Sequence, residues 1–145
     1  MKTYFSASPS ETMEIAEKFS KELRLGDVIA YEGEMGAGKT AFTRGLCRGL
    51  GLDERDVTSP TFAIVNEYHG EKVTLYHFDM YRIETIDDLY ETGFFDYMNG
   101  ESILAIEWSE NIYSALPSNT IYVTIEKDKL DENKRKITIK GDDRF

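Results

Sequence analysis

The stretch that decides the fold covers residues 28–50 and reads VIAYEGEMGAGKTAFTRGLCRGL. Its apolar start predicts a buried strand over residues 27–31, and its end predicts a helix over residues 41–50 with apolar residues on one face. Between them, residues 33–40 fit G-x-x-x-x-G-K-[ST], the pattern of a phosphate loop. The backbone N–H groups of such a loop converge on phosphate oxygens at a helix N-terminus. We therefore expect Lys39 to reach the β and γ phosphates of a nucleotide and Thr40 to bind Mg²⁺.

The residues before this stretch predict a strand and a helix. Residues 2–6 are typical of a short strand. Ser8 to Glu11 form the pattern of a capping box with proline at the first helical position. The apolar residues that follow recur every three or four positions and predict a helix that ends near Gly26. This apolar stripe comprises Met13, Ala16, Phe19 and Leu23.

The residues after the stretch alternate between β-rich and helical patterns. Runs over 61–68 and 72–78 predict one hairpin, and runs over 120–126 and 135–139 predict a second. Two helical pieces, 85–92 and 94–98, are separated by Gly93, and the continuous apolar run over 103–106 predicts a buried strand over 102–108. This order predicts a single α/β domain over residues 1–145, a P-loop NTPase-like mixed β-sheet flanked by helices.

Composition excludes several classes of protein. The chain has 145 residues, is 41% hydrophobic, and carries 17 Lys and Arg against 27 Asp and Glu, a net charge of −10. That balance argues against direct binding of nucleic acid or an anionic membrane, which need clustered cations. The lone cysteine, Cys47, excludes an internal disulfide, and the apolar runs are too short to span a bilayer. With no signal peptide pattern before the first charged helix, we expect a cytoplasmic protein without membrane contact.

Acidic residues at predicted strand ends are candidates for the chemistry. A phosphate-loop enzyme needs an acid at the end of a neighbouring buried strand to hold the water shell of the metal, and Glu107 closes the run ILAIE. Asp79 ends the run YHFD. There it could orient water, support a metal ligand without binding the metal itself, or simply cap a turn. His77 lies two residues earlier, on the same face as Asp79, and we interpret it as a packed or hydrogen-bonded structural histidine.

Other phosphate-loop functions fit less well. A GTPase would need N-K-x-D, and the nearest segment, residues 133–136, lacks the carboxylate. A small-molecule kinase usually has a lid with clustered arginines, and the arginines between the loop and the last hairpin are scattered at Arg44, Arg48, Arg55 and Arg82. The basic residues over 134–140 are interpreted as the solvated face of an edge strand, with a docking patch or a nucleotide contact as the alternative.

Four motifs in this order resemble one known family: GEMGAGKT at 33–40, SPTF at 59–62, HFDMYR at 77–82 and the pair Glu107-Trp108. The chain resembles the TsaE family, also called YjeE. The resemblance implies a small bacterial ATPase that works with the TsaB and TsaD proteins to make threonylcarbamoyladenosine at position 37 of tRNAs that read codons starting with A. Met35 and Met80 stand where the family more often has Leu.

The resemblance also implies roles for individual residues. It assigns Mg²⁺ to Thr40 and Glu107, hydrolysis to Lys39, Asp79 and Glu107, and a switch-like loop near the γ-phosphate to residues 59–61. Thr12 is expected near the base end of the nucleotide and Trp108 beside the site. The full set expected to contact ATP is Thr12, Gly33, Gly36, Ala37, Gly38, Lys39, Thr40, Ala41, Thr61 and Trp108.

The expected mechanism lacks one component. Phosphoryl transfer to water needs positioning and charge neutralisation, and the sequence shows no arginine finger. We therefore expect slow hydrolysis that partners complete or gate, with the ATPase resetting the partner complex between cycles and the partners holding the tRNA. The main alternative is a binding module that assembles under ATP control, with hydrolysis incidental.

Overall fold

In the computed structural model, which describes residues 1–34, 36–58 and 64–145, seven strands form one sheet in the order β1-β7-β6-β2-β5-β4-β3. The central strands β2, β4, β5 and β6 run parallel, and β1, β3 and β7 join the sheet through antiparallel pairs. The strands are β1 Lys2–Ser6, β2 Val28–Glu32, β3 Val65–His69, β4 Thr74–Asp79, β5 Ile103–Glu107, β6 Ile121–Lys127 and β7 Arg135–Lys140. The predicted mixed α/β sheet is confirmed.

Helices cover both faces of the sheet. The helices are α1 Pro9–Ser20, α2 Lys39–Leu50, α3 Ile86–Glu91 and α4 Phe94–Tyr97, with short 3-10 helices at Glu54–Asp56 and Ser109–Ala115. Alternate residues of the central strands point to opposite cores: Ile29 packs with α1 and α2, whereas Val28 packs with α3 and α4. Because both faces are buried, these strands are continuously apolar.

Glycines bring α1 and α2 into close contact. A Cβ at Gly45 would overlap the carbonyl oxygen of Met13, and one at Gly49 would overlap the Ser20 hydroxyl. The two helices therefore pack at short range, which fixes α2 and the loop that precedes it. Among the described helices, none is both long and apolar enough to cross a membrane.

The start of α1 confirms the predicted N-cap, with one difference. The Ser8 hydroxyl accepts from the Glu11 amide at 3.1 Å, and Pro9 occupies the first turn. The Glu11 carboxylate, however, accepts from the amide of Ala7 at 2.7 Å, so the box closes one residue early. Ala16 and Phe19 are buried as predicted, whereas Met13 and Leu23 are only half-buried.

The predicted end of α1 near Gly26 is wrong, because the helix stops at Ser20. The side chain of Asp27 accepts a hydrogen bond from the amide of Arg24 at 2.7 Å and two from the guanidinium of Arg144. These bonds stabilise a turn that leads straight into β2. Local side-chain capture of the backbone thus overrides the apolar spacing.

The edge-strand interpretation of the basic residues is also wrong. β7 lies between β1 and β6, with Ile137 paired to both Tyr4 and Ile125. The exposed edges of the described sheet belong to β1 and β3.

Candidate functional site

The phosphate-loop segment leaves the carboxyl end of β2, the middle strand of the sheet. Gly33, Gly36 and Gly38 have φ values of 136°, 77° and 116°, a region that side chains rarely adopt. A Cβ at Gly33 would also overlap the carbonyl oxygen of Ile125, so the loop passes directly against β6. The glycines are therefore needed to build the loop itself, before any ligand is considered.

The loop ends in the first turn of α2. Gly38 is the N-cap, and its carbonyl accepts from the amide of Phe42 at 2.9 Å. Lys39, Thr40 and Ala41 form the first turn and are half-buried. The first N–H groups of a helix have no acceptor within it, and they carry the positive end of the helix dipole. This end of α2 is thus suited to an anion.

Asp79 and Glu107 lie at the same edge of the sheet as the loop. Strands β4 and β5 pair in parallel, with Asp79 directly opposite Glu107, and β5 pairs with β2. Both carboxylates lie on the face of the sheet that packs on α1 and α2. The carboxyl ends of parallel strands are where ligands bind in open α/β sheets.

The two carboxylates differ in their surroundings. Partial burial, reinforced by the negative charge of Glu107, raises the pKa of Asp79, while the Tyr81 amide, His77 and Lys39 act in the opposite direction. Oδ1 of Asp79 accepts from the Tyr81 amide at 2.9 Å, so the turn-capping contact considered above is present. Oε2 of Glu107 lies 2.6 Å from Nε2 of buried His77, which confirms that this histidine is hydrogen-bonded.

An aromatic pair follows the two strand ends. Trp108 has φ 58°, the one positive φ of a residue other than glycine in the described chain. Its ring meets that of Tyr81 edge to face, with centroids 4.9 Å apart. A bulky residue in this conformation is strained. The turn after β4 is held by Asn111, whose side chain donates to the Met80 carbonyl at 2.9 Å. Trp108 is thus fixed beside Glu107.

A cavity of about 830 Å³ lies beside the loop, between the α1 N-terminus and the β6–β7 hairpin. Arg135, which lines it, donates from Nε to the carbonyl of Ala37 at 2.8 Å. Lys127, also in the lining, places Nζ beside Gly36, about 3.5 Å from where a Cβ would lie. Sequence reasoning missed Lys127, which carried no signal beyond its place at a strand end; it included Arg135 in the basic run, with a nucleotide contact as the alternative interpretation.

Thr12 contacts the lining of this cavity through Ser6. It is buried, and its hydroxyl is 2.8 Å from that of Ser6, which lines the cavity. Its expected contact with the base end of a nucleotide stays a prediction. Three further predictions concern residues outside the described part of the chain: the switch-like loop at Ser59, Pro60 and Thr61, the ATP contact of Thr61 within it, and the Met35 position.

The donors at the site fit magnesium. The expected ligands, Thr40 and Glu107, offer hydroxyl and carboxylate oxygens, which Mg²⁺ prefers. Within the described residues no group of three or more His, Cys, Asp or Glu side chains forms a metal cage. Mg²⁺ commonly binds through one or two protein oxygens, several waters and substrate phosphates. The residues present therefore suit a metal that arrives with a nucleotide.

Comparison with known proteins identifies the family. The family model described as "Threonylcarbamoyl adenosine biosynthesis protein TsaE" matches residues 6–137. The chain belongs to the TsaE family. The predicted resemblance is confirmed, and the family is one of tRNA threonylcarbamoyladenosine biosynthesis.

Individual TsaE proteins match over most of their length. The TsaE protein of Bacillus subtilis is 38% identical, with 94% of this chain and 84% of the relative covered. That of Treponema pallidum is 38% identical, covering 92% and 96%. The crystal structure of Bacillus subtilis YdiB superposes with a TM-score of 0.76 at 32% identity, over 97% of this chain and 84% of YdiB.

Proposed function

We propose that this chain binds ATP with Mg²⁺ and hydrolyses it as a component of the tRNA threonylcarbamoyladenosine machinery. The observation that carries the proposal is the position of Asp79 and Glu107. They are register partners at the carboxyl ends of the parallel strands, where the phosphate loop also leaves the sheet. A phosphate cradle alone would support binding. Two carboxylates beside it supply what hydrolysis also needs, a metal-side acid and a group that orients water.

The loop and its cationic neighbours support phosphate binding. Backbone N–H groups from Gly36 to Thr40 would hold the phosphate oxygens, and Lys39 would reach the β and γ phosphates. Lys127 and Arg135 add positive charge at Gly36 and Ala37 in a chain whose net charge is −10. These cations make the site locally attractive to a polyanion that the rest of the surface repels.

The cavity beside the loop supports a bound nucleoside. Its volume of about 830 Å³ lies in the range of small-molecule pockets, and its lining combines Phe5 with charged residues that include Lys127 and Arg135. Since the chain lacks the N-K-x-D motif that reads guanine, we expect ATP to bind more tightly than GTP. Equal or tighter binding of GTP would show that the base is recognised in another way.

The division of labour for hydrolysis follows from the surroundings of each acid. Thr40 and Glu107 would hold the Mg²⁺ ion, which when bound neutralises charge on the β and γ oxygens. Asp79, whose pKa is raised by burial, would orient the attacking water.

The arginines support slow turnover by the isolated chain. Arg48 is paired with Glu17 and Glu54, and Arg55 with Asp53. Two of the four arginines between the loop and the last hairpin are thus engaged by acidic side chains rather than directed at the phosphate loop. Hydrolysis would be completed when partners dock.

TsaB and TsaD are the proposed partners, and they rather than this acidic chain would hold the tRNA. ATP hydrolysis would reset their complex between catalytic cycles, in the cytoplasm where tRNA and ATP are available. The negative charge of −10 supports an indirect role, because direct tRNA binding needs a basic surface.

The test is to follow the fate of ATP in the reconstituted complex. ATP would be supplied to the chain with TsaB, TsaD and tRNA, and the products would be separated. We expect ADP and inorganic phosphate. Phosphate recovered on a small molecule would indicate a kinase. ATP-dependent assembly with intact ATP would indicate a binding module.

A further inference from the structure

His77 is buried against the proposed metal-side acid. It lies on β4, its exposed fraction is 0%, and Nε2 is 2.6 Å from Oε2 of Glu107. Strand register explains the contact: His77 pairs with Ala105, and two residues further along the same face Asp79 pairs with Glu107. The imidazole therefore lies two residues before the carboxyl end of β4, where it contacts the Glu107 carboxylate.

Aromatic neighbours fix the orientation of the ring. Tyr31 of β2 meets the His77 ring edge to face with centroids 6.3 Å apart, and Tyr68 of β3 lies at 6.5 Å. Tyr31 is itself held by a hydrogen bond of 2.8 Å between its hydroxyl and that of Thr43 in α2. A buried ring held in one orientation keeps Nε2 directed at Glu107, which a freely rotating surface histidine cannot do.

The hydrogen bond also fixes which nitrogen carries the proton. A carboxylate only accepts, so Nε2 donates. Nδ1 is buried and has no hydrogen-bond partner among the described residues. The contact with Glu107 therefore uses Nε2 and not Nδ1.

We propose that His77 is a positioning residue for Glu107: it binds Oε2 and leaves Oε1 to receive the water shell of Mg²⁺. This inference rests on the proposed role of Glu107 at the metal. Carboxylates that serve metals are commonly held by such outer hydrogen bonds, and removal of an outer partner typically costs 10- to 100-fold in metal affinity.

The first test needs no metal. The chain has only two histidines, so a His69→Gln variant assigns the ring signals of His77 in nitrogen-15 NMR spectra. We expect a protonated Nε2 whose signal shifts in Glu107→Ala. An Nε2 without a proton, or a signal that is unchanged in Glu107→Ala, would overturn the proposal even if ATP is hydrolysed.

The second test measures the Mg²⁺ requirement. In His77→Leu we expect the Mg²⁺ concentration for half-maximal tightening of ATP binding to rise about 10- to 100-fold, with ATP affinity in EDTA unchanged. His77→Gln, whose amide can donate from near the Nε2 position, should recover most of the wild-type requirement. Tyr68→Phe, which alters a ring neighbour without contact to Glu107, is the control and should leave it unchanged.

The outcomes separate the two proposals. If both His77 variants fold and need no more Mg²⁺ than wild type, His77 is structural only. If ATP binding by wild type is indifferent to Mg²⁺, the metal role of Glu107 fails, whereas the NMR result still reports the bond. Should His77→Leu fail to fold, the wild-type spectrum and its change in Glu107→Ala decide.

Discussion

Asp79 and Glu107 are register partners on adjacent parallel strands, and they end those strands side by side. One is capped by the Tyr81 amide at 2.9 Å, and the other is held by His77 at 2.6 Å. Because the charge of Glu107 adds to the burial that raises the pKa of Asp79, the two carboxylates are not equivalent. This difference is the basis for assigning the metal to one and water to the other.

Removing the Glu107 carboxylate should reduce turnover more than binding. In Glu107→Ala the loop amides and Lys39, which provide most of the ATP affinity, stay intact, whereas metal placement matters most as charge shifts in the transition state. We expect ATP affinity within a few-fold of wild type and a hydrolysis rate lowered about 100-fold. The pair of measurements is calorimetry and ATPase assay with TsaB and TsaD, each over a Mg²⁺ titration.

A wild-type rate at sub-millimolar Mg²⁺ would contradict the role of Glu107. The residue would then be only a solvated strand end, and Asp79 would become the leading candidate for the metal-side acid.

Lys39→Ala should abolish useful ATP binding. Lys39 begins α2 at the end of the phosphate loop, and a hydrogen bond to a charged group contributes about 1.5–3 kcal/mol. We expect affinity to fall about 100-fold in calorimetry, the upper part of that range. Thermal unfolding of the variant provides the control, since a half-exposed lysine should contribute little to stability. Unchanged nucleotide affinity would contradict the assignment of residues 33–40 as a phosphate loop.

Local elements of this fold could be predicted from the sequence, whereas contacts between distant residues could not. The strand, loop and helix around residues 33–40 could be predicted, since their signals are local: a run of apolar residues, glycines at positive φ and a helical stripe. The bond between His77 and Glu107 spans 30 residues, and that between Arg135 and Ala37 spans 98. Those contacts depend on strand order, which periodicity does not contain.

The wrong predictions have the same origin. Alternation of Ile137 and Ile139 predicts a strand with one buried face, but gives no sign that β1 covers its outer edge. Leu23 continues the apolar spacing of α1, and the turn that follows the helix is stabilised by Asp27 through a local bond from the Arg24 amide and a long-range bond from Arg144, which the spacing does not reveal.

Gly33 should tolerate alanine far less than Gly51. Both have positive φ, but a Cβ at Gly33 would overlap the Ile125 carbonyl, whereas one at Gly51 has no described atom within 4 Å. We expect Gly51→Ala to lower the free energy of unfolding by about 1 kcal/mol, from backbone strain alone. Gly33→Ala should lose about 3 kcal/mol, because overpacking adds to that strain. Equal losses in urea unfolding would refute the close approach of the loop to β6.

The C-terminal ion pairs give a pH-dependent prediction. Hydrogen bonds from Arg144 lower the pKa of Asp142 to about 2. Since the folded state favours the ionised carboxylate, its contribution to stability is present above the ordinary pKa near 4 and is lost as pH falls through about 2. Asp142→Asn should therefore lower Tm at pH 7 and lower it less at pH 3.

The neighbouring exposed Asp143 provides the matched control for this prediction. Asp143→Asn should leave Tm nearly unchanged at both pH values, because the Arg144 guanidinium bonds Asp142 and Asp27. A Tm loss in Asp142→Asn that is the same at pH 3 and pH 7 would mean that the carboxylate charge does not stabilise the fold.

The most direct test of the central claim is a single-turnover measurement. Wild type and Asp79→Asn would each be loaded with one equivalent of ATP and Mg²⁺, mixed with TsaB and TsaD, and followed for release of phosphate. We predict that wild type converts its bound ATP to ADP and phosphate, while Asp79→Asn binds ATP and releases phosphate at least about 10-fold more slowly. Equal rates in the two proteins, or ATP that stays intact in wild type, would contradict the claim that this site is a hydrolase.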